Sequence, residues 1–378
     1  MARIAIDATA FDTVGHGIGQ FRYMVDLLRG LRALETRDEF LVVGTGTRAP
    51  DDLTDLFASD ANWRFVSLAQ SKRRGGFYFD QLRWAAWLVE ERIDLVHSLH
   101  SFIPILSNVP VVATKYDLMI ELFPEYSVGK RSRSYRWHRW SARHFARRLI
   151  AISQATADDI AAFWRVPTTH VAVVPLGVDF IRGQGNVPSH TSADLTILSP
   201  FNLEPRKNLS SLLKAFAIVK SKHTNATLQL FGAAAVTAER NRQYHSLVSE
   251  LGIATSVMRT GLISSDELAK LYARATLFVF PSLYEGFGLP VLEAMSAGCC
   301  VVARGASSMP EILGDTGVLV ETNRPDTFAA TMIELLNSPD RRAELGKRAQ
   351  ARSLLFTVGR MSSLTYDVYA TLLGGGGR

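Results

Sequence analysis

Apolar positions along the chain fall into short runs that alternate with longer stretches of helical spacing. Arg3–Asp7, Phe40–Gly44 and Trp63–Ser67 are compact β-branched or aromatic runs, as are Leu95–His97 and Val111–Thr114. Between them, Gly19–Leu31 and Phe79–Glu91 space their apolar residues three and four apart, which predicts helices. The pattern restarts after residue 194. Strands are expected at Leu195–Ser199, Thr227–Phe231, Met258–Thr260, Leu277–Phe280 and Cys300–Ala303, with helices at Leu209–Lys220, Ser265–Ala273 and Pro290–Ala297. Regular alternation of this kind predicts parallel sheets covered by helices on both faces. Two such series imply two doubly wound α/β domains. Ligands of such sheets bind beyond the carboxyl ends of the strands. The join is expected between Gly177 and Asp194, where Gly-Gln-Gly-Asn-Val-Pro-Ser-His-Thr-Ser is rich in breakers and poor in apolar residues.

Length agrees with this division, because 378 residues exceed one ordinary domain. Hydrophobic residues make up 47%, a globular composition. The longest apolar runs, such as Ala275–Pro281, fall far short of the roughly 20 residues that span a bilayer. The N-terminus, Met-Ala-Arg-Ile-Ala-Ile-Asp, lacks the apolar core of a signal peptide, so a cytoplasmic location is expected. Two adjacent cysteines, Cys299 and Cys300, supply neither a disulfide framework nor a zinc site.

The net charge of +6 has a local origin. Lys130–Arg148 carries eight Lys or Arg and no Asp or Glu. Tyr135, Trp137, Trp140 and Phe145 are interleaved with the bases, and Trp137, Trp140 and His144 share a helical stripe. One reading is a packed amphipathic helix with a basic outer face. The other is a docking element for an anionic membrane surface, which suits Trp and Arg together. No nucleic-acid recognition motif accompanies the patch, so nucleic acid is not expected as a partner.

Candidate chemistry gathers in the second half. Glu285-Gly-Phe-Gly-Leu-Pro-Val-Leu-Glu293 follows an apolar strand and enters a helix. Pro290 suits the first helical turn and Gly298 the stop. Gly286 and Gly288 allow close backbone approach at a helix N-terminus, which attracts phosphate. Glu285 precedes the turn and Glu293 lies about one turn inside the helix. Spacing alone also fits a plain strand–turn–helix with an exposed Glu and a helix-surface Glu. Glu204-Pro-Arg-Lys-Asn208 places Arg206 and Lys207 after a strand end and before a helix. Arg grips a diphosphate with a fork and Lys with a point charge. Bases at a helix start oppose its dipole, so they call for a local reason.

The segment Glu285–Glu293 resembles the signature of retaining glycosyltransferases of family 4, with two glutamates separated by seven residues. The runs Ala297–Glu311 and Gly314–Val320 look like the continuation of the same family. The resemblance implies the GT-B fold, in which two Rossmann-like domains face each other across a cleft. Residues 1–180 would bind the acceptor and 195–357 the nucleotide sugar, while the helix in 358–373 would cross back to the first domain. It implies that Glu285 faces the donor sugar, that Glu293 binds the ribose, and that Gly286, Phe287, Gly288 and Leu289 border the donor. Arg206 and Lys207 match the diphosphate loop, although Asn202 stands where many members have Arg. The Pro-Arg-Lys-Asn form is similar to a subgroup of O-antigen mannosyltransferases. Gly15-His-Gly-Ile-Gly19 resembles the family's first glycine loop, with Gly17 and Gly19 as close-approach positions and His16 read as a surface residue. Tyr116-Asp117 stands where the family usually has His-Asp, which puts these two residues beside Glu285 as the catalytic set. His97 and His100 follow a strand end and are read as either acceptor-lining or structural.

The implied reaction is transfer of a hexosyl group from a nucleoside diphosphate sugar to an acceptor hydroxyl, with retention, by a front-face route. A GDP-sugar carrying mannose or a related deoxyhexose is the expected donor, and a lipid-linked oligosaccharide or other glycan the expected acceptor. No cofactor or metal is expected, since no Asp-x-Asp sits in a strand-end loop. The alternatives are a sugar-nucleotide epimerase, a glycosyltransferase with a soluble acceptor, and a GT-B protein that has lost activity.

Overall fold

A computed structural model of the chain describes residues 1–9, 19–46, 48–57, 62–68, 76–99, 103–123, 125, 130–179, 195–232 and 237–374, with backbone only at 76–79 and 130–132. Its contacts divide the chain into two units, one of Met1–Gly177 with Val358–Arg378 and one of Val178–Thr357.

Among the described residues the first unit holds seven strands. They are β1 (Arg3–Asp7), β2 (Glu39–Gly44), β3 (Trp63–Ser67), β4 (Leu95–Ser98), β5 (Val111–Lys115), β6 (Arg148–Ala151) and β7 (Val171–Val173). They pair in the order β3-β2-β1-β4-β5-β6-β7, all parallel. Helices on both faces explain why β2, β4 and β5 are buried at every position. Trp84, Trp87 and Leu88 of helix Gly76–Glu90 pack with Trp164 on Ala5, Leu41, Val96 and Ala113. On helix Gly19–Arg32 a Cβ at Gly30 would overlap the Ser362 hydroxyl of helix Val358–Leu372. The glycine therefore lets these two helices approach closely, and the C-terminal helix belongs to the first unit.

The basic segment matches the packed-helix reading only in part. The helix covers Lys130–Phe145 only, and Arg148 already opens β6. Its buried positions are His138, Ser141 and Ala142. The stripe of Trp137, Trp140 and His144 lies on the outer side instead, with the tryptophans 38% and 41% exposed. Helical spacing defines such a stripe but not which side the sheet covers.

The second unit holds β8 (Leu195–Pro200), β9 (Ala226–Phe231), β10 (Val257–Arg259), β11 (Leu277–Phe280), β12 (Val301–Arg304) and β13 (Val318–Val320). The order is β10-β9-β8-β11-β12-β13, again all parallel. Ile197, Leu228, Leu277, Val279 and Val302 form one buried sheet face under Leu212, Phe216, Phe328 and Met332. Helix Leu289–Ser296 starts one residue before the expected Pro290. It stops short of Gly298, whose φ of 77° lies in the left-handed region open to glycine. Bonds from Gly298 N to Met295 O and from Cys299 N to Ala294 O close its last turn.

Candidate functional site

In a doubly wound sheet, the strand order reverses between two neighbouring strands, and their loops part to leave a crevice at the carboxyl edge. In the second unit that point lies between β8 and β11, which pair at Ile197–Leu277 and Leu198–Phe278. The loop after β8 carries Arg206 and Lys207, and the loop after β11 carries Glu285.

Polar contacts stitch these loops together, among them Arg206 Nη1 donating to Tyr284 O at 3.3 Å. Leu283 N donates to Arg206 O at 2.7 Å, and the Asn208 side-chain amide donates to Pro281 O at 3.3 Å. Asn208 adopts the left-handed conformation, φ 54°, which Asn tolerates better than most side chains. Asn202, at the position where Arg was common, caps the loop instead, its Oδ1 accepting from Glu204 N at 2.8 Å.

The cations meet Glu285 directly. Lys207 Nζ donates to Glu285 Oε1 at 2.6 Å, and Arg206 Nη1 donates to Glu285 Oε2 at 3.2 Å. Arg206 Nε also donates to Glu204 Oε2 at 3.0 Å. These contacts supply the local reason for two bases beside a helix start. The bases lie on a 3-10 turn, Pro205–Lys207, and are held by carboxylates. Burial alone would raise the Glu285 pKa. Lys207 and Arg206, together with hydrogen bonds from Lys207 and Ser282, outweigh burial and hold it below the usual carboxylate range.

The turn after Glu285 is fixed from the other side. Ser308 Oγ donates to the carbonyls of Glu285 and Phe287, and Ser307 Oγ also donates to Glu285 O. Gly288 has φ 115°, and a Cβ there would overlap Met309 Cε, so both conformation and packing call for glycine. Glu293 is 5% exposed and accepts from the Tyr272 hydroxyl at 2.9 Å. Neither glutamate is therefore the exposed residue of a plain turn and helix. Ser282, Ser307, Ser308 and Tyr272 carried no role in the sequence reading. Hydroxyl residues near a loop give no signal until the loop they bond is adjacent.

The remaining candidates belong to the first unit. Gly19 opens helix Gly19–Arg32, while Gly17, His16 and His100 lie outside the described residues. Tyr116 follows β5, and its hydroxyl donates to Leu99 O at 2.5 Å. With that proton committed, Tyr116 offers a ligand only an accepting oxygen. Asp117 Oδ1 accepts from Met119 N at 3.1 Å. His97 is structural: it is fully buried, with Nδ1 2.5 Å from the Tyr369 hydroxyl and Nε2 2.8 Å from Thr114 Oγ1. Burial pulls its pKa down to about 3. The strand-order reversal of this sheet lies between β1 and β4. Asp7 ends β1 there with no exposed surface, Oδ1 bonded by Thr9 and Oδ2 without a hydrogen-bond partner among the described residues. Burial, against the opposing Thr9 bonds, pushes its pKa up to about 6.

Sequence profiles of two families account for the chain in series. "Glycosyltransferase Family 4" matches residues 18–182 and "Glycosyl transferases group 1" matches residues 186–352. The chain belongs to glycosyltransferase family 4. Among relatives of this family, the MMP alpha-(1->4)-mannosyltransferase of Mycolicibacterium hassiacum is 34% identical over 232 residues. That match covers 58% of this chain and 53% of the relative, so the chain spans about half of its length. The O-antigen chain mannosyltransferase B of Escherichia coli is 26% identical over 305 residues, covering 77% of this chain and 78% of the relative. The sucrose-phosphate synthase structure from Thermosynechococcus elongatus superposes with a TM-score of 0.76 at 21% identity, covering 100% of both chains. Such likenesses and the two parallel sheets identify the GT-B fold.

Among the described residues no group of three His, Cys, Asp or Glu is placed to hold a metal ion. No described helix is long and apolar enough to cross a membrane.

Proposed function

We propose that this family-4 chain moves a hexosyl group, mannose or a related deoxyhexose, from a GDP-sugar to a glycan hydroxyl with retention of configuration. The observation that carries this reading is the Arg206–Lys207–Glu285 cluster at the strand-order reversal of the second unit. Two fixed cations beside a helix N-terminus match a diphosphate, whose charge they would meet without a metal. Glu285 would face the donor sugar and Glu293 the ribose. The leaving diphosphate would take the acceptor proton, and the preorganised charge around it would be the largest catalytic contribution. Mannose is favoured because the two relatives above are named mannosyltransferases. The name of the second supports a role in surface polysaccharide assembly.

A thermal-shift series with GDP-, UDP- and ADP-sugars tests the donor. A ligand that binds only the folded state raises the melting temperature. GDP-mannose should give the largest rise, and mannose transfer from it to a glycan should follow. A rise only with UDP- or ADP-sugars would refute the GDP reading, and hydrolysis or epimerisation without transfer would refute the reaction.

A membrane-associated acceptor is part of this reading. Trp137, Trp140 and Phe145 form a surface aromatic group, with ring centroids 4.8 Å and 5.2 Å apart about Trp140. Exposed Arg133, Arg136, Arg143 and Arg147 flank it. Such a surface suits the inner leaflet, where rings enter the interface and guanidinium groups meet anionic lipid. The protein should therefore partition into anionic vesicles well above neutral ones, and exchange of Trp137 and Trp140 for Ser should remove most of that preference. Equal partitioning into both vesicle types would contradict the docking role.

A further inference from the structure

Both cations of the candidate donor site are already neutralised by the protein. Arg206 and Lys207 carry two positive charges, and Glu204 and Glu285 return two negative ones at 2.6–3.2 Å. An incoming diphosphate therefore meets a cluster with no formal excess charge. In drawing on Arg206 Nε or Nη1 it competes with a carboxylate already bonded there.

The two carboxylates are held very differently. Glu285 has a side chain 12% exposed, accepts from Lys207 and Arg206, and sits on a backbone carbonyl fixed by Ser307 and Ser308. Glu204 has a side chain 35% exposed and, among the described residues, an ion pair to Arg206 alone. It lies just before the 3-10 turn that carries both bases, and its backbone N–H is tied to Asn202. Water solvates Glu204 readily, so the Arg206–Glu204 pair is the cheaper of the two to open. Arg206 Nε thus has two competing acceptors, Glu204 and any phosphate oxygen within reach.

We propose that Glu204 is a positioning residue that holds Arg206 when the nucleotide is absent and competes with the diphosphate for it. This competition sets how tightly the nucleoside diphosphate is held and how fast it leaves after transfer. The proposal rests on the donor-site reading above. Glu204 holds the guanidinium near its working position and returns to it as product departs. Affinity is sacrificed for release, since differences among variants of one site lie mostly in the dissociation rate.

The test compares the full-length protein with Glu204→Gln and Glu204→Asp, using GDP, UDP and ADP as probes in calorimetry. Gln keeps the size of Glu and removes its charge. GDP should bind Glu204→Gln about fivefold more tightly at low salt, the scale of one partly exposed ion pair. The gain should shrink as salt screens the competition. In turnover with GDP-mannose, KM and kcat should fall together, because product release becomes limiting. Glu204→Asp should restore most of the wild-type affinity. Unchanged or weaker GDP binding by Glu204→Gln, with wild type binding GDP normally, overturns this inference and leaves the donor site standing. If wild type binds none of the three nucleotides, the donor-site reading itself falls.

Discussion

Glu285→Gln should lower transfer by about a thousandfold while nucleoside diphosphate binding is kept or tightened. The loss is on the scale seen when one preorganised charge-stabilising group is removed. The tightening follows from the ion cluster. With the carboxylate neutralised, Lys207 and Arg206 each lose one charged partner, at 2.6 Å and 3.2 Å, and bond phosphate more readily. Binding and chemistry should separate in this variant, which a purely structural role would not produce. The measurements are GDP calorimetry and transfer from GDP-mannose on the same preparation, with the melting temperature confirming a folded protein. Near-normal turnover would remove Glu285 from the reacting centre. Joint loss of binding, activity and melting transition would reduce it to a structural ion pair.

Lys207→Ala should weaken GDP binding by about tenfold to a hundredfold, the scale of one charge-assisted hydrogen bond. It should also change the pH profile, and the sign follows from the balance at Glu285. Burial raises the Glu285 pKa, and Lys207 is the first of the charges that bring it down again. Without Lys207 the balance moves toward burial, the pKa rises, and the acidic limb of activity moves to higher pH. Lys207→Arg keeps the charge but exchanges a point donor for a planar fork, so its rescue should be incomplete. Unchanged GDP affinity in Lys207→Ala would take this residue out of the donor site. Unchanged affinity with a shifted pH limb would leave Lys207 as a partner of Glu285 alone.

Much of this arrangement was legible in the residues. The strand β11 and its turn announce themselves through an apolar run, two glycines and a proline placed where a helix begins. Local chemistry at each position agrees with the observed element, so the pattern survives folding. Elements carrying weaker periodicity went unread. Helix Ala238–Glu250 buries only Tyr244 and Val248, and β6 is four residues long at the end of a basic run. Neither offers a stripe wide enough to stand out.

The side chains that complete the site were harder to see. Ser307 and Ser308 come from the loop after β12 and bond carbonyls 21–23 residues earlier in the chain. Tyr272 bonds Glu293 across 21 residues. A serine or tyrosine looks the same in sequence whether it faces water or a buried carbonyl. Tyr116 illustrates the reverse case, since nothing in the sequence shows that its hydroxyl donates to Leu99 O, 2.5 Å away.

The sequence by itself determined the alternation of strands and helices, the division into two sheets, and the identity of the charged loops after β8 and β11. Those are local properties, set by side-chain period, by glycine and proline conformation, and by charge. Only the tertiary structure decided that Arg206 and Lys207 pair with Glu285, 79 and 78 residues away. It also decided that Trp137 and Trp140 lie on the outer side of their helix. The physical reason is shared. A parallel sheet brings the ends of β8 and β11 side by side whatever the chain between them, and packing on that sheet selects which helix face is buried.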